Sequence, residues 1–257
     1  MTLRAATLLG PNTVLILESL VERLADRGHD IEMTAAPELS GCGAGASEAV
    51  ASFDVIWACG LLTAELVGSG CPIGVVAAPV FDGESTPVYR SVLVTRADPR
   101  RGLGRSIEIG DLARSRIAVN EIGSWSGYRA LLQEFSVVRG QAVDEVAEAI
   151  GHHLVLTGSH VESVRAVVDG RADLAAIDHT IWEWLVVNTP SDAEELVVVD
   201  QTVDWPAPPF SLASSCPARA SLTADLLALG SAPTPGLQAI VPASADDYAV
   251  MVTALSL

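Results

Sequence analysis

The sequence predicts an α/β protein of two lobes, each built on its own sheet, with two chain crossings and a ligand cleft between the lobes. Hydrophobic residues make up 49% of the 257 residues, which is enough for a sizeable core. Strand-like and helix-like segments alternate in two successive series. The chain after residue 205 is too short for a third domain. We therefore expect residues 1–87 and 203–257 to form lobe 1, and residues 88–202 to form lobe 2.

Lobe 1 begins with a β-α-β-α-β-α-β series. The helix at residues 14–27 has apolar residues at helical spacing and ends at Gly28. The other elements follow the same criteria: strands at 2–9, 29–34, 53–58 and 72–80, and helices at 47–52 and 61–67. This alternation predicts a mostly parallel sheet with helices on its faces.

Lobe 2 repeats the alternation, and the chain then returns to lobe 1. Strands are expected at 88–95, 116–120, 153–156, 172–177 and 196–200, with helices at 106–112, 128–135, 142–150, 160–169 and 180–187. A proline-rich crossing at 204–209 precedes the return, which carries a strand at 210–214 and helices at 218–229 and 246–257. Two lobes with two crossings suit hinge closure on a ligand.

The turn at residues 123–128, Gly-Ser-Trp-Ser-Gly-Tyr, lies between an apolar strand and a helix. Ser124 or Ser126 is suited to the N-cap position. The N–H groups at a helix start lack intrahelical acceptors, and with two hydroxyls beside them they form a site for an anion. The alternative is that both serines only cap the helix.

Charge and composition exclude several function classes. The formal net charge is −17 and only 18% of the residues are charged. An acidic chain is unsuited to nucleic acid and to anionic membrane surfaces. No apolar run is long enough for direct membrane insertion. The four cysteines form no CxxC pair, so we expect neither a metal site nor a redox dithiol, and no cofactor.

The first ten residues lack the charged start, long apolar region and small-residue cleavage site of a secretory signal. The sequence as given therefore predicts a cytoplasmic location. If an export segment has been removed, a periplasmic or extracellular location is expected instead.

Four stretches occur in an order that resembles a known family. Residues 89–94 read Tyr-Arg-Ser-Val-Leu-Val. Asp-Leu at 111–112 precedes Arg-Ile-Ala at 116–118, and Ser-Trp-Ser-Gly stands at 124–127. Gly-Ser-His at 158–160 precedes Asp-Leu-Ala-Ala-Ile-Asp at 173–178. The chain resembles the phosphate/phosphite/phosphonate substrate-binding family, which implies the two-lobe periplasmic-binding-protein type 2 fold.

The resemblance also implies roles for individual residues. Ser124 and Ser126, with nearby N–H groups, would hold a ligand oxyanion, and His160 would donate from the facing helix start. Asp178 would meet a ligand amine or hydroxyl, and Tyr89 would line the cleft at the crossing. Each residue has a structural alternative: helix capping for the serines and Asp178, hinge packing for Tyr89, and a purely structural role for His160.

Trp125 and Gly127 complete the expected ligand-binding set. The position of Trp125 is small and polar in the family, so this chain loses a hydroxyl there and gains a flat apolar surface. That change favours a larger ligand, with a carboxylate or an aromatic ring, over inorganic phosphate or phosphonate. The alternative is that Trp125 packs in the core.

The function expected first is a small-molecule binding protein without catalytic residues. It would close on an anionic or zwitterionic ligand, phosphonate-like or carboxylate, as ABC transporter substrate-binding components do. A membrane component of an ABC transporter is then an expected partner. The alternative is a cytoplasmic enzyme on the same fold, acting on a carboxylate- or phosphate-bearing metabolite with His160 or Asp178 as acid/base. Fold analogy does not choose between them.

Overall fold

The computed structural model of the chain describes residues 1–34, 46–97, 115–230 and 234–255. They divide into two compact units. Unit 1 comprises Met1–Tyr89 and Trp205–Val252, and unit 2 comprises Arg90–Asp204 and the C-terminal residues from Thr253. The lobe boundaries given in the sequence analysis stay a prediction. The expected helix at 106–112, with the Asp-Leu pair at 111–112, lies outside the described residues.

Unit 1 contains a six-stranded sheet in the order β13-β4-β12-β3-β1-β2. Its strands are β1 (Leu3–Thr7), β2 (Ile31–Met33), β3 (Val55–Trp57), β4 (Ile73–Phe81), β12 (Phe210–Ala213) and β13 (Leu237–Pro242). A separate antiparallel pair joins β5 (Val88–Tyr89) to β11 (Trp205–Pro206). The helices of unit 1 are α1 (Pro11–Ala25), α2 (Ala46–Val50), α3 (Gly60–Gly68), α9 (Arg219–Leu229) and α10 (Ala249–Ala254), with a 3₁₀ turn at Ala245–Tyr248.

The returning chain changes the sheet that the alternation predicted. β1 pairs in parallel with β2 and β3, but β12 lies between β3 and β4 and is antiparallel to both. β13, which the sequence analysis did not predict, adds an antiparallel edge to β4. The sheet is therefore mixed. The helix expected at 246–257 is instead a 3₁₀ turn followed by the short α10.

The insertion of β12 is held by aromatic packing. The rings of Trp57 on β3 and Phe210 on β12 stack with centroids 4.6 Å apart. The indole N–H of Trp57 donates to the carbonyl of Pro208 at 2.9 Å, so the buried polar edge of the ring is satisfied. Both side chains are buried. This pairing fixes the register Phe210 to Trp57 between strands distant in sequence.

Unit 2 contains a five-stranded sheet in the order β10-β6-β9-β7-β8. The strands are β6 (Ser91–Arg96), β7 (Ile117–Val119), β8 (Leu154–Leu156), β9 (Leu174–Asp178) and β10 (Leu196–Gln201). β7 pairs in parallel with β8 and β9, whereas β6 is antiparallel to β9 and β10. The helices are α4 (Ala130–Arg139), α5 (Val143–Gly151), α6 (His160–Val168), α7 (His179–Asn188) and α8 (Pro190–Glu194).

Helices cover both faces of the unit 2 sheet. Alternate strand residues contribute to two separate cores, because successive side chains point to opposite faces. Leu93, Ile117 and Leu174 pack with residues of α4 and α5. Val94 and Ala175 pack with residues of α6 and α7. Within the described ranges, no helix is both long and apolar enough to span a bilayer.

Candidate functional site

The predicted anion turn is a helix start of unusual geometry. Ser124 has an extended backbone, and its Oγ accepts the N–H of Gly127 at 3.1 Å, so Ser124 is the N-cap. The N–H of Arg129 reaches back five residues to the carbonyl of Ser124 at 3.0 Å. Residues Trp125–Arg129 therefore form one π-helical turn before α4, and the helix begins three residues earlier than predicted. Such turns are wider than α-helical ones and are frequent at functional sites.

Gly127 leaves room for the side chain of Asn120. A Cβ placed on it would lie 1.7 Å from Oδ1 of Asn120 and 3.1 Å from Oγ of Ser124. The Asn120 amide therefore occupies the space that any larger residue at 127 would need. The carbonyl of Asn120 accepts the N–H of Gly158 at 3.0 Å, which joins the end of β7 to the loop before α6.

Ser126 is held from two sides. Its carbonyl accepts the hydroxyl of Ser91 at 2.7 Å, and its own Oγ lies 3.1 Å from Nε2 of His160. All three side chains are buried. The Ser126 to His160 hydrogen bond brings together the starts of two helices, the turn before α4 and the start of α6.

His160 is the first residue of α6. Ser159 caps this helix by accepting the N–H of Glu162 at 3.1 Å. Burial lowers the pKa of the His160 imidazole below its ordinary value, while the charge of Asp178 and the backbone of Ala176 act in the opposite direction. The ring is therefore neutral near pH 7. A neutral ring suits a helix N-terminus, where a positive charge is unfavourable.

Asp178 ends β9, directly opposite Ser91 on β6. Its Oδ1 accepts the N–H of Thr180 at 2.9 Å and the hydroxyl of Thr180 at 2.8 Å, so Asp178 is the N-cap of α7. The capping alternative is thus confirmed. Its carboxylate also acts electrostatically on His160, which places Asp178 near the Ser126–His160 pair.

The remaining predicted residues occupy different places. Trp125 lies in the turn itself, and its side chain is only 1% exposed. Tyr89 is buried in unit 1, on β5, where it pairs with Trp205. Unit 2 alone therefore brings together Ser124, Trp125, Ser126, Gly127, His160 and Asp178. Ligand contact by each of these residues stays a prediction.

Sequence reasoning did not identify Ser91, Asn120 and Thr202 as supports of the site. Ser91 is the first residue of β6 and is buried with the three apolar residues that follow it, and its N–H donates to Oγ1 of Thr202 at 3.0 Å. The N–H of Thr202 returns a bond to the carbonyl of Ser91 at 2.9 Å. A serine among buried strand residues is a signal that a hydroxyl has a partner, but the sequence does not name that partner.

The groups gathered at this site are of the kinds that suit an anion. They are the N–H groups of a helix start, two hydroxyls and a neutral imidazole. Among the described residues, no three His, Cys, Asp or Glu side chains are grouped so as to hold a metal ion.

Comparison with known proteins agrees with this chemistry. A family described as "ABC transporter, phosphonate, periplasmic substrate-binding protein" matches residues 43–248, most of the chain. No curated protein matches the sequence.

Solved structures share the fold at low sequence identity. A binding-protein component of an ABC phosphonate transporter from Pseudomonas aeruginosa is 16% identical, with a TM-score of 0.76 over 98% of this chain and 85% of that one. PhnD1 from Prochlorococcus marinus, in complex with methylphosphonate, is 14% identical, with a TM-score of 0.74 over 98% and 96%. A Xanthomonas citri protein bound to ATP is 16% identical, with a TM-score of 0.64 over 99% and 97%. These likenesses confirm the predicted type 2 binding-protein fold.

Proposed function

Because the chain belongs to the periplasmic phosphonate substrate-binding family of ABC transporters, we propose that it binds a small ligand through a phosphonate or phosphate group at the Trp125–Arg129 turn. The ligand-binding role itself follows from the family. The site residues, the ligand and the transporter partner are the proposal. The protein would act outside the cytoplasm, as the name of the family indicates, and would deliver its ligand to a transporter's membrane component.

The observation that supports the proposal best is the hydrogen bond of 3.1 Å between Ser126 Oγ and His160 Nε2. It places two polar side chains side by side at the starts of two helices, in a buried setting where hydrogen bonds to an anion are strong. Local groups of this kind are needed, since a chain with a net charge of −17 repels anions at long range.

Asp178 extends the proposal to zwitterionic ligands. One carboxylate oxygen caps α7, and the carboxylate lies close enough to His160 to act on its charge. A ligand with an amine a few bonds from its phosphonate would pair the amine with this carboxylate. An aminoalkylphosphonate fits that description better than inorganic phosphate does.

The test is a binding titration by calorimetry. The probes are methylphosphonate, aminoethylphosphonate, inorganic phosphate, a simple carboxylate and an aromatic acid. We expect a phosphonate to bind most tightly, and Ser126→Ala to weaken it at least tenfold, since a hydrogen bond to a charged group is lost. Ser191→Ala, an exposed serine on α8, is the matched control and should bind like the parent chain.

Other outcomes would replace the proposal. Preference for the aromatic acid would favour Trp125 as a ligand wall and reject the phosphonate ligand. Equal affinity in Ser126→Ala and the parent chain would show that the ligand binds elsewhere. Product formation from any probe, followed by phosphorus or proton NMR, would establish an enzyme.

A further inference from the structure

The direction of the Ser126–His160 hydrogen bond determines whether Ser126 can donate to an anion at the proposed phosphonate site. A serine hydroxyl has one hydrogen to donate. If Ser126 donates it to Nε2 of His160, its oxygen presents only lone pairs to an incoming anion. If Ser126 donates it to the anion, the serine oxygen needs a donor at Nε2. The hydrogen bond of 3.1 Å serves an anion only in the second arrangement.

Whether Nε2 can donate to Ser126 depends on the hydrogen at the other ring nitrogen, Nδ1. Nδ1 is buried and has no partner of hydrogen-bonding geometry among the described residues, although the backbone of Ala176 favours the protonated ring. A neutral imidazole carries a single hydrogen on one of its two nitrogens. An imidazolium donates from both. The neutral ring supplies Nε2–H to Ser126 in only one of its two tautomers, whereas the protonated ring supplies it from either.

We propose that His160 is a positioning residue for Ser126 and that the ring takes up one proton from solvent when the oxyanion binds. Nε2–H then donates to Ser126 Oγ, and the hydroxyl of Ser126 donates to the ligand oxygen. This inference rests on the proposed function, since it needs an anion at the turn.

The electrostatic surroundings favour uptake only when the ligand is present. Before binding, burial opposes a charge on His160, and Asp178 of β9 offsets this in part. A bound anion beside Ser126 adds a second negative charge close to the ring, in a setting of low dielectric. The protonation equilibrium of the His160 ring then shifts toward the imidazolium.

Other charged groups on the neighbouring elements are engaged elsewhere. On α6, Glu162 pairs with Arg165 at 2.6 Å. On α7, Nδ1 of His179 accepts the N–H of Arg90 at 3.4 Å and lies 3.9 Å from Oδ1 of Asp178.

The anion turn also carries two ionisable residues. The guanidinium of Arg129 lies over the ring of Tyr128 at 5.6 Å. Burial raises the pKa of the Tyr128 hydroxyl, so it stays protonated at neutral pH. Neither group competes with His160 for the proton.

The test is calorimetry of methylphosphonate binding at pH 7 in buffers of different ionisation enthalpy, none of them phosphate. The slope of enthalpy against ionisation enthalpy counts protons taken up. His160→Gln is the key variant, because its amide can donate to Ser126 without ionising. Protonation changes of the ligand itself occur with both proteins, so the comparison removes them. His153→Gln, an exposed histidine of the same unit, is the control.

We expect the parent chain and His153→Gln to take up about one proton more per ligand than His160→Gln. As the pH falls from 8 to 6, the affinity of the parent chain relative to that of His160→Gln should rise by up to about tenfold per pH unit. Equal proton counts in all three proteins would overturn the inference while leaving the proposed function in place. Failure of the parent chain to bind methylphosphonate would remove both.

If His160→Gln does not fold, NMR of the parent chain gives a second measurement. The ring signals of His160 report its protonation at pH 7. A ring that is neutral without methylphosphonate and charged with it supports the inference, and a ring neutral in both states overturns it.

Discussion

The hydroxyl of Ser91 donates to the carbonyl of Ser126 across 2.7 Å, in a place where both residues are buried. This bond ties the first strand of unit 2 to the π-helical turn, thirty-five residues further along the chain. It fixes the backbone at the residue whose side chain meets His160. The support of the site therefore begins on β6, outside the Trp125–Arg129 turn at which the ligand is proposed to bind.

Ser91→Ala should weaken both folding and binding. The substitution removes the hydroxyl that donates to the buried carbonyl of Ser126, which costs about 1–3 kcal/mol of unfolding free energy. Affinity for methylphosphonate should fall as well, because the turn loses its anchor. Urea denaturation and calorimetry measure the two effects. Ser191→Ala should change neither, and an unaltered unfolding free energy in Ser91→Ala would contradict the assigned role of the bond.

Gly127→Ala should destabilise the protein by about 1–3 kcal/mol, because its Cβ would overlap the Asn120 amide. The double variant Gly127→Ala with Asn120→Ala removes the obstructing group and should recover part of the loss. Gly151→Ala is the control, since an added Cβ there meets nothing within 4 Å. Denaturation curves of the parent chain, of the single variants Gly127→Ala and Asn120→Ala, and of the double variant give the coupling. Strict additivity of the two single effects would show that the contact is unimportant.

Asp178 has two roles that two substitutions separate. Asp178→Ala removes the cap of α7 and should cost about 0.5–2 kcal/mol of stability. Asp178→Asn keeps a good cap but removes the charge, so most of the stability should remain. The pKa of His160 should then fall further, because the charge that raises it is gone. NMR titration of the ring measures this change, and an unmoved pKa would mean that the carboxylate does not act on His160.

Stability should decrease in mildly acidic solution partly because of His160. Its folded-state pKa is lowered by burial, whereas the unfolded chain keeps the ordinary value of about 6.5. Below that pH the unfolded chain binds the proton and the folded chain does not, so the free energy of unfolding falls as pH falls. The limiting slope is about 1.4 kcal/mol per pH unit.

The variant His160→Gln isolates this contribution from that of the carboxyl groups. The difference in unfolding free energy between the parent chain and the variant, both without ligand, should change between pH 7 and pH 5 with that sign. A difference that stays constant over this range would show that the ring is already able to accept a proton in the folded state.

The sequence predicted the fold class and the family, because both depend on local patterns. Apolar periodicity identifies most of the strands and helices, and the serine-rich turn predicts Ser124 as a candidate cap, which its bond to Gly127 confirms. The early start of the helix escaped prediction. The π-helical turn depends on a backbone bond from Arg129 to Ser124, and serine, glycine and tryptophan have no side-chain pattern that predicts it.

Contacts between distant residues explain the other differences. β13 spans Leu237–Pro242, a short segment that ends in proline and has weak alternation, so it did not stand out as a strand. The position of β12 between β3 and β4 depends on the packing of Phe210 against Trp57. The importance of Ser91 depends equally on a partner far along the chain. Local sequence patterns do not encode such pairings.

The place of β12 has a consequence for synthesis on the ribosome. Until residues 210–213 emerge, β3 and β4 have no strand between them, and their backbone donors and acceptors on that side stay open. The strands of unit 2 are all encoded before that point. A nascent chain can therefore form the sheet of unit 2 before the sheet of unit 1 is complete, and premature release would leave two open strand edges for chaperones to cover.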